Sequence, residues 1–368
     1  MGGSQMYNEI EITSKIRGKY KVHFSDSITK VIEALDKNDS IIYIVDENIF
    51  DLYHKYFKDL NFIKILPSEN NKTINYASEV IQLLIEKNIK KDSILVAIGG
   101  GIVQDIVAFI SSIIFRGINW IFIPTTLLAQ ADSCIGSKSS INFNGFKNLL
   151  GTFNAPSEIY ICNDFLKTLS DSEIKSGIGE MYHYFLVKNY KLAKELSEKY
   201  EELLNDRVKL QYFIFESLNT KKLIIEIDEF DTSIRHIFNY GHTFGHAVES
   251  ITNYQIPHGQ AITLGMDLAN FISFKLNLIN HSAFLEFHRI IQKNIPNFKF
   301  TTSNIDEYIL ALKKDKKNKI NQLGCILTKG PENMCKYFIN YDEFLKNTIL
   351  EYSNQFWTKD VFIPLYRY

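Results

Sequence analysis

The stretch Ile94–Asp105, ILVAIGGGIVQD, predicts the fold class of the first half of the chain. A short run of apolar, partly β-branched residues ends at three consecutive glycines, and a segment with helical periodicity follows at 102–115. Two similar runs, Ile41–Val45 and Trp120–Ile123, lie before and after it, and a further helical pattern spans 73–88. Short buried strands that alternate with helices are typical of a parallel α/β sheet.

The pattern changes near residue 165. Ser170-Asp-Ser-Glu173 has the spacing of a capping box that opens a helix, and most of the sequence after it is helical in period. We therefore expect two domains, an α/β domain over residues 1–168 and an all-α domain over 169–368. The length of 368 residues agrees with this division, since a domain averages about 150 residues. For the aromatic-rich tail from Trp357 we expect packing or an oligomer contact.

The composition excludes several classes of function. Lys and Arg number 41 against 42 Asp and Glu, a net charge of −1, so nothing favours binding to nucleic acid. The apolar segment 94–115 resembles a membrane span, but Asp105 near its centre costs about 2.5–3.5 kcal/mol in a bilayer, and we expect no membrane insertion. Four cysteines without CxxC spacing and no signal peptide favour the cytoplasm.

Two features of the predicted sheet could contact a nucleotide. Gly99–Gly101 follows a strand and precedes a helix, so its backbone N–H groups could face a phosphate; a tight connection explains the same glycines. Asp46 ends a predicted strand, where a carboxylate can accept a hydrogen bond from a ribose hydroxyl or simply cap a loop or helix. The residues alone leave both alternatives open.

Three of the nine histidines fall within 17 residues. His242 and His246, four apart in GHTFGH, share a helix face, and His258 follows in PHGQ. Two imidazoles with one carboxylate can hold a divalent metal and leave a coordination position open for substrate. The spacing identifies neither the two histidines nor the carboxylate.

The polar stretch 131–148, ADSCIGSKSSINFNGFKN, follows the third apolar run. It contains Asp132, Lys138, Lys147 and Asn148. Such side chains could bind an anionic polyol through charge-assisted hydrogen bonds, and an ordinary surface loop would have a similar composition.

Taken in order, these segments resemble the sugar phosphate cyclases, and most closely the 3-dehydroquinate synthases of the shikimate pathway. The resemblance extends from about Asp46 to Lys317. It rests on GGGIVQD, FRG, PTTLLAQADS, GSK, GFKN, RHIFNYGHTFGHAVE and PHGQA, with the helix that carries Glu180. It implies a Rossmann-like N-terminal domain that binds NAD and an α-helical C-terminal domain that binds a divalent metal, usually zinc, with cobalt as an alternative. It also implies an active site in the cleft between the domains, and a homodimer.

The resemblance assigns site residues position by position. The metal ligands correspond to Glu180, His242 and His258, whereas His246 corresponds to a residue that binds the substrate phosphate. The NAD contacts correspond to Asp46, Glu69, Lys72, Gly100, Gly101, Asp105, Thr125, Thr126, Lys147 and Thr168. The other substrate-binding or catalytic positions correspond to Arg116, Asp132, Lys138, Asn148, Lys221, Arg235, Asn239 and Lys317 (or Lys316). The charge run at 313–319 is accordingly expected to be an active-site lid rather than a solvated loop.

The reaction that the resemblance implies starts from a seven-carbon keto-acid sugar phosphate. Phosphate is eliminated and a carbocycle closes, with NAD⁺ used catalytically and showing no net turnover. Charge-assisted contacts of about 1.5–3 kcal/mol each would hold the substrate. Arg235 and Lys221 are expected to pair with its carboxylate, and its phosphate would be bound by Arg116, Lys138, Asn148 and His246.

Four positions depart from the family pattern. His183 stands where the family has a lysine that faces the substrate, three residues after the metal-binding glutamate. Residues three apart share a helix face, so we expect His183 to face the site and take the lysine's role. Gln104 replaces a glycine, Ser137 replaces a glycine of GGK, and Gln260 replaces the glutamate of HGE.

These departures leave more than one function open. The chain could be an ordinary 3-dehydroquinate synthase, or a variant cyclase that acts on a different acidic sugar phosphate. The first is favoured because the chain keeps the synthase residues at Asn239 and His246 and the carboxylate-binding pair. An NAD- and metal-dependent polyol dehydrogenase shares the predicted architecture, but it would release NADH in proportion to substrate.

Overall fold

The computed structural model describes residues 9–35, 40–232, 234–314 and 321–356. The chain divides into two compact units. The first is Met1–Gly177 with Glu201–Arg235, and the second is Ile178–Tyr200 with His236–Tyr368. A domain boundary at residues 168 and 169 stays a prediction. The two compact units do not divide the chain at a single residue, because residues 201–235 belong to the first unit.

A parallel sheet forms the centre of the first unit. The described strands of this unit are β1 (Glu9–Ser14), β2 (Gly18–Ser25), β3 (Ile41–Asp46), β4 (Phe62–Ile65), β5 (Ile94–Gly99), β6 (Asn119–Pro124), β7 (Ile141–Phe143), β8 (Phe146–Leu150) and β9 (Glu158–Cys162). Seven of them form one sheet in the order β1-β2-β9-β6-β5-β3-β4. Only β1 and β2 pair antiparallel in that sheet, while β7 and β8 form a separate antiparallel hairpin.

Helices accompany this sheet along the chain. They are α1 (Ile28–Leu35), α2 (Glu47–Phe57), α3 (Ile74–Glu86), α4 (Gly101–Ile113), the start of α5 (Asp171–Lys188), α7 (Tyr200–Asn205) and α8 (Leu210–Ile225). Every residue of β3 is buried, which is expected of a parallel strand covered on both faces. On one face, Val45, Val96 and Ile123 pack with Phe50 and Phe57 of α2. The α/β prediction is confirmed, with β3, β5, β6, α3 and α4 close to their expected bounds.

The capping box at the start of α5 is present. The backbone N–H of Ser170 donates to Oε2 of Glu173 at 2.8 Å, and the N–H of Glu173 donates to Oγ of Ser170 at 3.3 Å. This pair satisfies N–H groups at the helix start that have no partner within the helix.

The strand order reverses between β3 and β5. From β3 the chain adds β4 on one side, and it then returns to place β5 on the other side. In parallel sheets, ligands bind outside the carboxyl ends of the two strands at such a reversal. Asp46 ends β3 and Gly99 ends β5, so the two nucleotide-contact candidates follow these neighbouring strands.

The second unit is mainly helical. It contains the end of α5, then α6 (Tyr190–Glu198), α9 (His242–Ile251), α10 (His258–Lys275), α11 (His281–Ile291), α12 (Ile305–Lys313) and α13 (Glu343–Phe356). Two strands, β10 (Gln322–Thr328) and β11 (Met334–Asn340), form an antiparallel hairpin. The expected helical domain is therefore confirmed, but an all-α description omits this hairpin. Across the described part of the chain, we find no helix with the length and apolar character needed to span a bilayer.

Helix α10 is buried over most of its length and carries a polar cluster inside the unit. Nδ1 of His288 donates to Oδ2 of Asp267 at 2.7 Å, and the Tyr352 hydroxyl donates to the same oxygen at 2.6 Å. Burial lowers the pKa of His288, but the Asp267 carboxylate overcomes this effect and raises that pKa above its ordinary value. Asp267 thereby links α10 to α11 through His288 and to α13 through Tyr352.

We expect Asp267→Asn to destabilise the protein more at low pH than at high pH. Removing one partner of a buried ion pair costs about 3–5 kcal/mol of unfolding free energy. Because the folded-state pKa of His288 is raised, its contribution is fully present below about pH 6.5 and is lost as the pH rises through the folded-state pKa. Urea unfolding at pH 5.5 and 8.5 measures the difference.

The matched control is Asp306→Asn, which removes an exposed carboxylate of α12 from its pair with Lys346. The control should change stability little at either pH. An Asp267→Asn effect of the same size at both pH values would contradict the charged pair.

Candidate functional site

The carboxylate of Glu180 lies among histidines inside the second unit. Its Oε1 is 3.1 Å from Nε2 of His258 and 3.6 Å from Nε2 of His242. Its Oε2 is 3.4 Å from Nδ1 of His183. Glu180 is 2% exposed, and no described residue donates a hydrogen bond of good geometry to Oε1. A buried carboxylate oxygen without a hydrogen-bond donor is suited to bind a cation.

The ionisable groups of this cluster shift one another's pKa values. Burial raises the pKa of Glu180, but His242 and contacts with His183 and His258 outweigh burial and hold it well below its ordinary value. Burial lowers the pKa of His242 well below its ordinary value, opposed by Glu180. Burial also disfavours charge on His258, yet Glu180 and Glu249 raise its pKa well above the ordinary value. A neutral His242 beside an ionised Glu180 is a suitable pair of metal ligands.

His246 joins the other two histidines of the sequence cluster. Donor atoms of His242, His246 and His258 lie within 4.8 Å of one another, and so do those of Glu180, His183 and His242. The rings of His242 and His246 are 5.4 Å apart, as expected for one helix face. Imidazole nitrogens and a carboxylate are the donors that zinc uses in catalytic sites, so this cluster fits a divalent metal.

Backbone contacts at glycines bring these side chains together. A Cβ on Gly179, next to Glu180, would lie 2.0 Å from the carbonyl oxygen of Gly259, which follows His258. A Cβ on Gly265 would lie 2.1 Å from the carbonyl oxygen of Gly241, which precedes His242. Real Cβ atoms do not approach an oxygen so closely, so only glycine allows α5, α9 and α10 these separations.

A second polar cluster lies in the first unit around Lys72, which is 6% exposed. Its Nζ is 2.7 Å from Oδ1 of Asn148, 3.1 Å from Oδ2 of Asp105 and 3.6 Å from Oε1 of Glu69. Burial raises the pKa of Asp105, although Lys72 opposes this. Lys147 reaches the same Glu69 oxygen at 3.9 Å. The structure therefore brings together four of the expected NAD contacts and one expected substrate residue.

The strand ends provide the remaining nucleotide candidates. Gly100 caps α4, and a Cβ there would lie 3.1 Å from Cγ2 of Thr126. Thr125 is buried and donates its backbone N–H to Gly99 at 3.0 Å. Asp46 caps α2 by accepting hydrogen bonds from the N–H groups at residues 48 and 49, and burial raises its pKa. Capping occupies one oxygen, Oδ1.

Several substrate candidates of the first unit already have partners. Nζ of Lys221 lies 2.8 Å from Oδ1 of Asp132 and donates to its backbone oxygen at 2.6 Å. Lys138 pairs with Asp231 at 2.7 Å, and Arg235 donates to the Glu229 carbonyl oxygen at 2.9 Å. Lysines and arginines held in this way are positioned by the protein rather than mobile in solvent.

The other candidates are more dispersed. Arg116 is exposed after α4 with a φ of 66°, a conformation uncommon outside glycine. The Thr168 hydroxyl is 3.0 Å from that of Tyr53. Asn239, in the second unit, donates to the His236 carbonyl oxygen at 3.0 Å. Lys317, with Lys316 and most of the run 313–319, lies outside the described residues, as does the tail from Trp357.

Comparison with known proteins gives the family. The 3-dehydroquinate synthase N-terminal family matches residues 62–176, and the 3-dehydroquinate synthase C-terminal family matches residues 177–318. A 3-dehydroquinate synthase of Clostridium tetani is 33% identical over 350 residues, which cover 92% of this chain and 93% of that protein. The chain belongs to the 3-dehydroquinate synthase family. The resemblance deduced from the motifs is confirmed.

Solved structures share the fold of this 3-dehydroquinate synthase family member. A 2-deoxy-scyllo-inosose synthase complexed with carbaglucose-6-phosphate, NAD⁺ and Co²⁺ superimposes with a TM-score of 0.83 at 24% identity, covering 94% of this chain and all of that one. ValA, a 2-epi-5-epi-valiolone synthase from Streptomyces hygroscopicus with NAD⁺ and Zn²⁺ bound, gives 0.79 at 22% identity, covering 91% and 97%.

The four residues that depart from the family pattern are Gln104, Ser137, His183 and Gln260, and the structure shows the surroundings of each. Gln104 exchanges hydrogen bonds with Ser133, accepting from its hydroxyl and donating to its carbonyl oxygen, both at 2.6 Å. Ser137 is buried, and Gln260 donates to the Asn294 carbonyl oxygen at 3.4 Å. His183 is 1% exposed beside Glu180, so it does lie on the predicted helix face.

Three residues of these clusters were not singled out from the sequence. Oε1 of Glu249 lies 3.2 Å from Nδ1 of His258 and orients that ring. Ser140 donates to Asp105 through both its backbone N–H and its hydroxyl at 2.8 Å, and Asn142 donates to Glu69 at 2.8 Å. The only available signal was that all three lie within or beside the motifs.

We expect Gly179→Ala to lower both stability and Zn²⁺ affinity. The added Cβ would meet the Gly259 carbonyl oxygen and push Glu180 away from His258. Overpacking of this kind costs about 1–3 kcal/mol of unfolding free energy. Thermal unfolding and competition with a chelator measure the two effects. Ser250→Ala, at an exposed position of α9, is the control and should change neither. Unchanged affinity in Gly179→Ala would mean that this contact does not set the cluster's geometry.

Proposed function

We propose that the protein is an NAD- and metal-dependent sugar phosphate cyclase, a 3-dehydroquinate synthase that eliminates phosphate from a heptulosonate phosphate and closes a carbocycle. The observation that carries the proposal is the position of Oε1 of Glu180 between the Nε2 atoms of His258 and His242, at 3.1 and 3.6 Å, in a chain of this family. The reaction is a carbon–oxygen lyase reaction.

We assign the metal to Glu180, His242 and His258. A divalent ion held there supplies Lewis acidity toward a substrate hydroxyl. Glu249 orients the His258 ring through Nδ1, which leaves Nε2 directed at Glu180. Two imidazoles and one carboxylate are a common set of zinc ligands in enzymes, and we therefore propose zinc, with cobalt as the alternative.

We assign NAD to the carboxyl ends of β3, β5 and β6 in the first unit. Its nicotinamide supplies a hydride acceptor that returns the hydride within one turnover. The start of α4 at Gly100 and Gly101 suits the pyrophosphate, because free N–H groups and the helix dipole favour an anion. The carboxylate of Asp46, at the end of β3, suits a ribose hydroxyl. The proposed contacts from the other elements are Glu69, Lys72, Asp105, Thr125, Thr126, Lys147 and Thr168.

The remaining candidates are assigned to the substrate. Lys221 and Arg235 would pair with its carboxylate, since both side chains are held in place by the protein. Their positive charges favour an acidic compound as substrate. Asp132, bonded to Lys221, and Asn239 would contact its hydroxyl groups. We assign the phosphate to Arg116, Lys138, Asn148 and His246, with a contribution from Lys317.

The setting in the cell is also a proposal. The described residues contain four free cysteines, three of them buried, as expected of a protein in a reducing compartment. We propose a cytoplasmic homodimer of the shikimate pathway that acts on a small-molecule substrate without nucleic acid or membrane.

A second candidate function is a cyclase of the same family with a different acidic sugar phosphate. The observation that favours it is His183, buried in contact with Glu180 where the family has a lysine. The presence of Lys221 and Arg235 would keep the requirement for an anionic group on the substrate.

We expect the purified protein with NAD⁺ and Zn²⁺ to release inorganic phosphate from 3-deoxy-arabino-heptulosonate 7-phosphate without accumulating NADH. A phosphate assay and absorbance at the NADH band measure the two quantities together. Turnover of another heptulose or hexose phosphate alone would favour the second candidate. NADH growing in proportion to product would instead indicate a polyol dehydrogenase.

We expect His242→Ala to abolish tight Zn²⁺ binding and His246→Ala to preserve it. His242 lies beside Oε1 of Glu180, whereas His246 is assigned to the substrate phosphate. Zinc retained after dialysis, measured by elemental analysis, separates the two variants. Loss of zinc in both would mean that the metal is held by the three histidines rather than by Glu180 and two of them.

A further inference from the structure

His183 is a buried imidazole whose polar atoms are not used by the fold. It is 1% exposed, and neither Nδ1 nor Nε2 makes a hydrogen bond to any described residue. Leaving a buried polar atom unsatisfied costs about 1–3 kcal/mol. Such a group in a folded protein calls for an explanation, and an unseen ligand is one.

The surroundings of His183 direct one side of its ring toward the carboxylate cluster. Tyr184 and Phe238 pack against the ring at centroid distances of 5.1 and 5.7 Å. On the polar side, Nδ1 lies 3.4 Å from Oε2 of Glu180, and the ring of His242 lies 4.7 Å away. The aromatic side chains hold the ring in place, and its Nδ1 faces Glu180, with the His242 ring beside it.

The donor atoms of Glu180, His183 and His242 all lie within 4.8 Å of one another. With bonds of about 2.0–2.1 Å, tetrahedral zinc ligands are separated by about 3.3 Å. Nδ1 of His183 lies 3.4 Å from Oε2 of Glu180, and Nε2 of His242 lies 3.6 Å from Oε1, so each imidazole is near that separation from a different oxygen of the carboxylate.

We propose that His183 is an additional protein ligand of the divalent metal, beside Glu180, His242 and His258, and that a substrate oxygen binds as a fifth ligand. The proposal rests on the metal site of the proposed function and departs from the family pattern at this position. A protonated lysine is a donor only and cannot ligate a metal, whereas a neutral imidazole can. The substitution therefore turns a position that faces the substrate into one that binds the metal.

The test is a titration of the metal-free full-length protein with Co²⁺, followed by visible spectroscopy. The variants are His183→Gln and His183→Asn, which both remove the imidazole. The smaller asparagine provides a second test in case the glutamine variant does not fold. Removing a ligand should weaken Co²⁺ binding by about tenfold or more, since loss of even a ligand's supporting partner costs about 10–100-fold. The d–d absorption should also shift, because a water oxygen replaces the nitrogen and changes the ligand field of the ion.

His281→Gln is the matched control, because His281 is an exposed histidine of the same unit outside the cluster. It should bind Co²⁺ with the affinity and spectrum of the unaltered protein. Circular dichroism without metal verifies the fold of each variant. Unchanged affinity and an unchanged spectrum in a folded His183→Gln or His183→Asn would overturn the proposal.

Failure of the proposed function gives a different result. In one outcome, the protein releases no phosphate from the heptulosonate phosphate while its Co²⁺ spectrum changes in His183→Gln. That result would contradict the assigned substrate and support His183 as a metal ligand. Phosphate release together with a Co²⁺ spectrum that does not change in the His183 variants would support the proposed function and contradict the role of His183 as a ligand.

Discussion

A carboxylate buried among imidazoles is the constraint on which the second unit depends. Glu180 is almost completely removed from water, and no lysine or arginine pairs with it among the described residues. An ionised carboxylate in such a place is very costly unless a positive charge compensates it. Histidines can supply that charge only in part, because burial disfavours their protonated forms, as at His242. A divalent cation compensates the charge fully and keeps the imidazoles neutral.

The backbone is arranged to allow this concentration of donors. Gly179 and Gly265 permit helix contacts that any side chain would prevent, and each lies close in sequence or in space to a proposed ligand. Since α10 is buried almost throughout, it has little freedom to move away from its neighbours. The packing of the helices therefore holds the donor atoms of the cluster close together.

Local signals account for the parts of the structure that the sequence predicted well. The apolar runs of β3, β5 and β6 and the capping box of Ser170 depend on neighbours within a few residues. The network of Lys72 could not be predicted in the same way, because its partners come from Asp105 and Asn148, far along the chain. The hairpin of β10 and β11 was missed, although QLGCILT is an apolar run with strand character.

The pairing of site residues was also beyond sequence patterns. Spacing placed His242 and His246 on one face, but it could not identify Glu180 as the carboxylate beside them, since α5 and α9 are brought together only by tertiary packing. The resemblance to a family supplied that assignment. It could not supply the partner of Lys138, Asp231, or the contact of Glu249 with His258, because these were not among the positions that the motifs assign.

Two of the departures from the family pattern offset each other in charge. Replacing a lysine by His183 removes a positive charge beside Glu180, if the imidazole is neutral, and replacing a glutamate by Gln260 removes a negative charge two residues after His258. The summed formal charge of the two positions is then unchanged, although the Gln260 side chain itself donates to the carbonyl oxygen of Asn294. The charge beside Glu180 is the one that acts directly on a bound cation. The proposed role of His183 accounts for that substitution, because an imidazole nitrogen can bind the ion whereas a protonated lysine cannot.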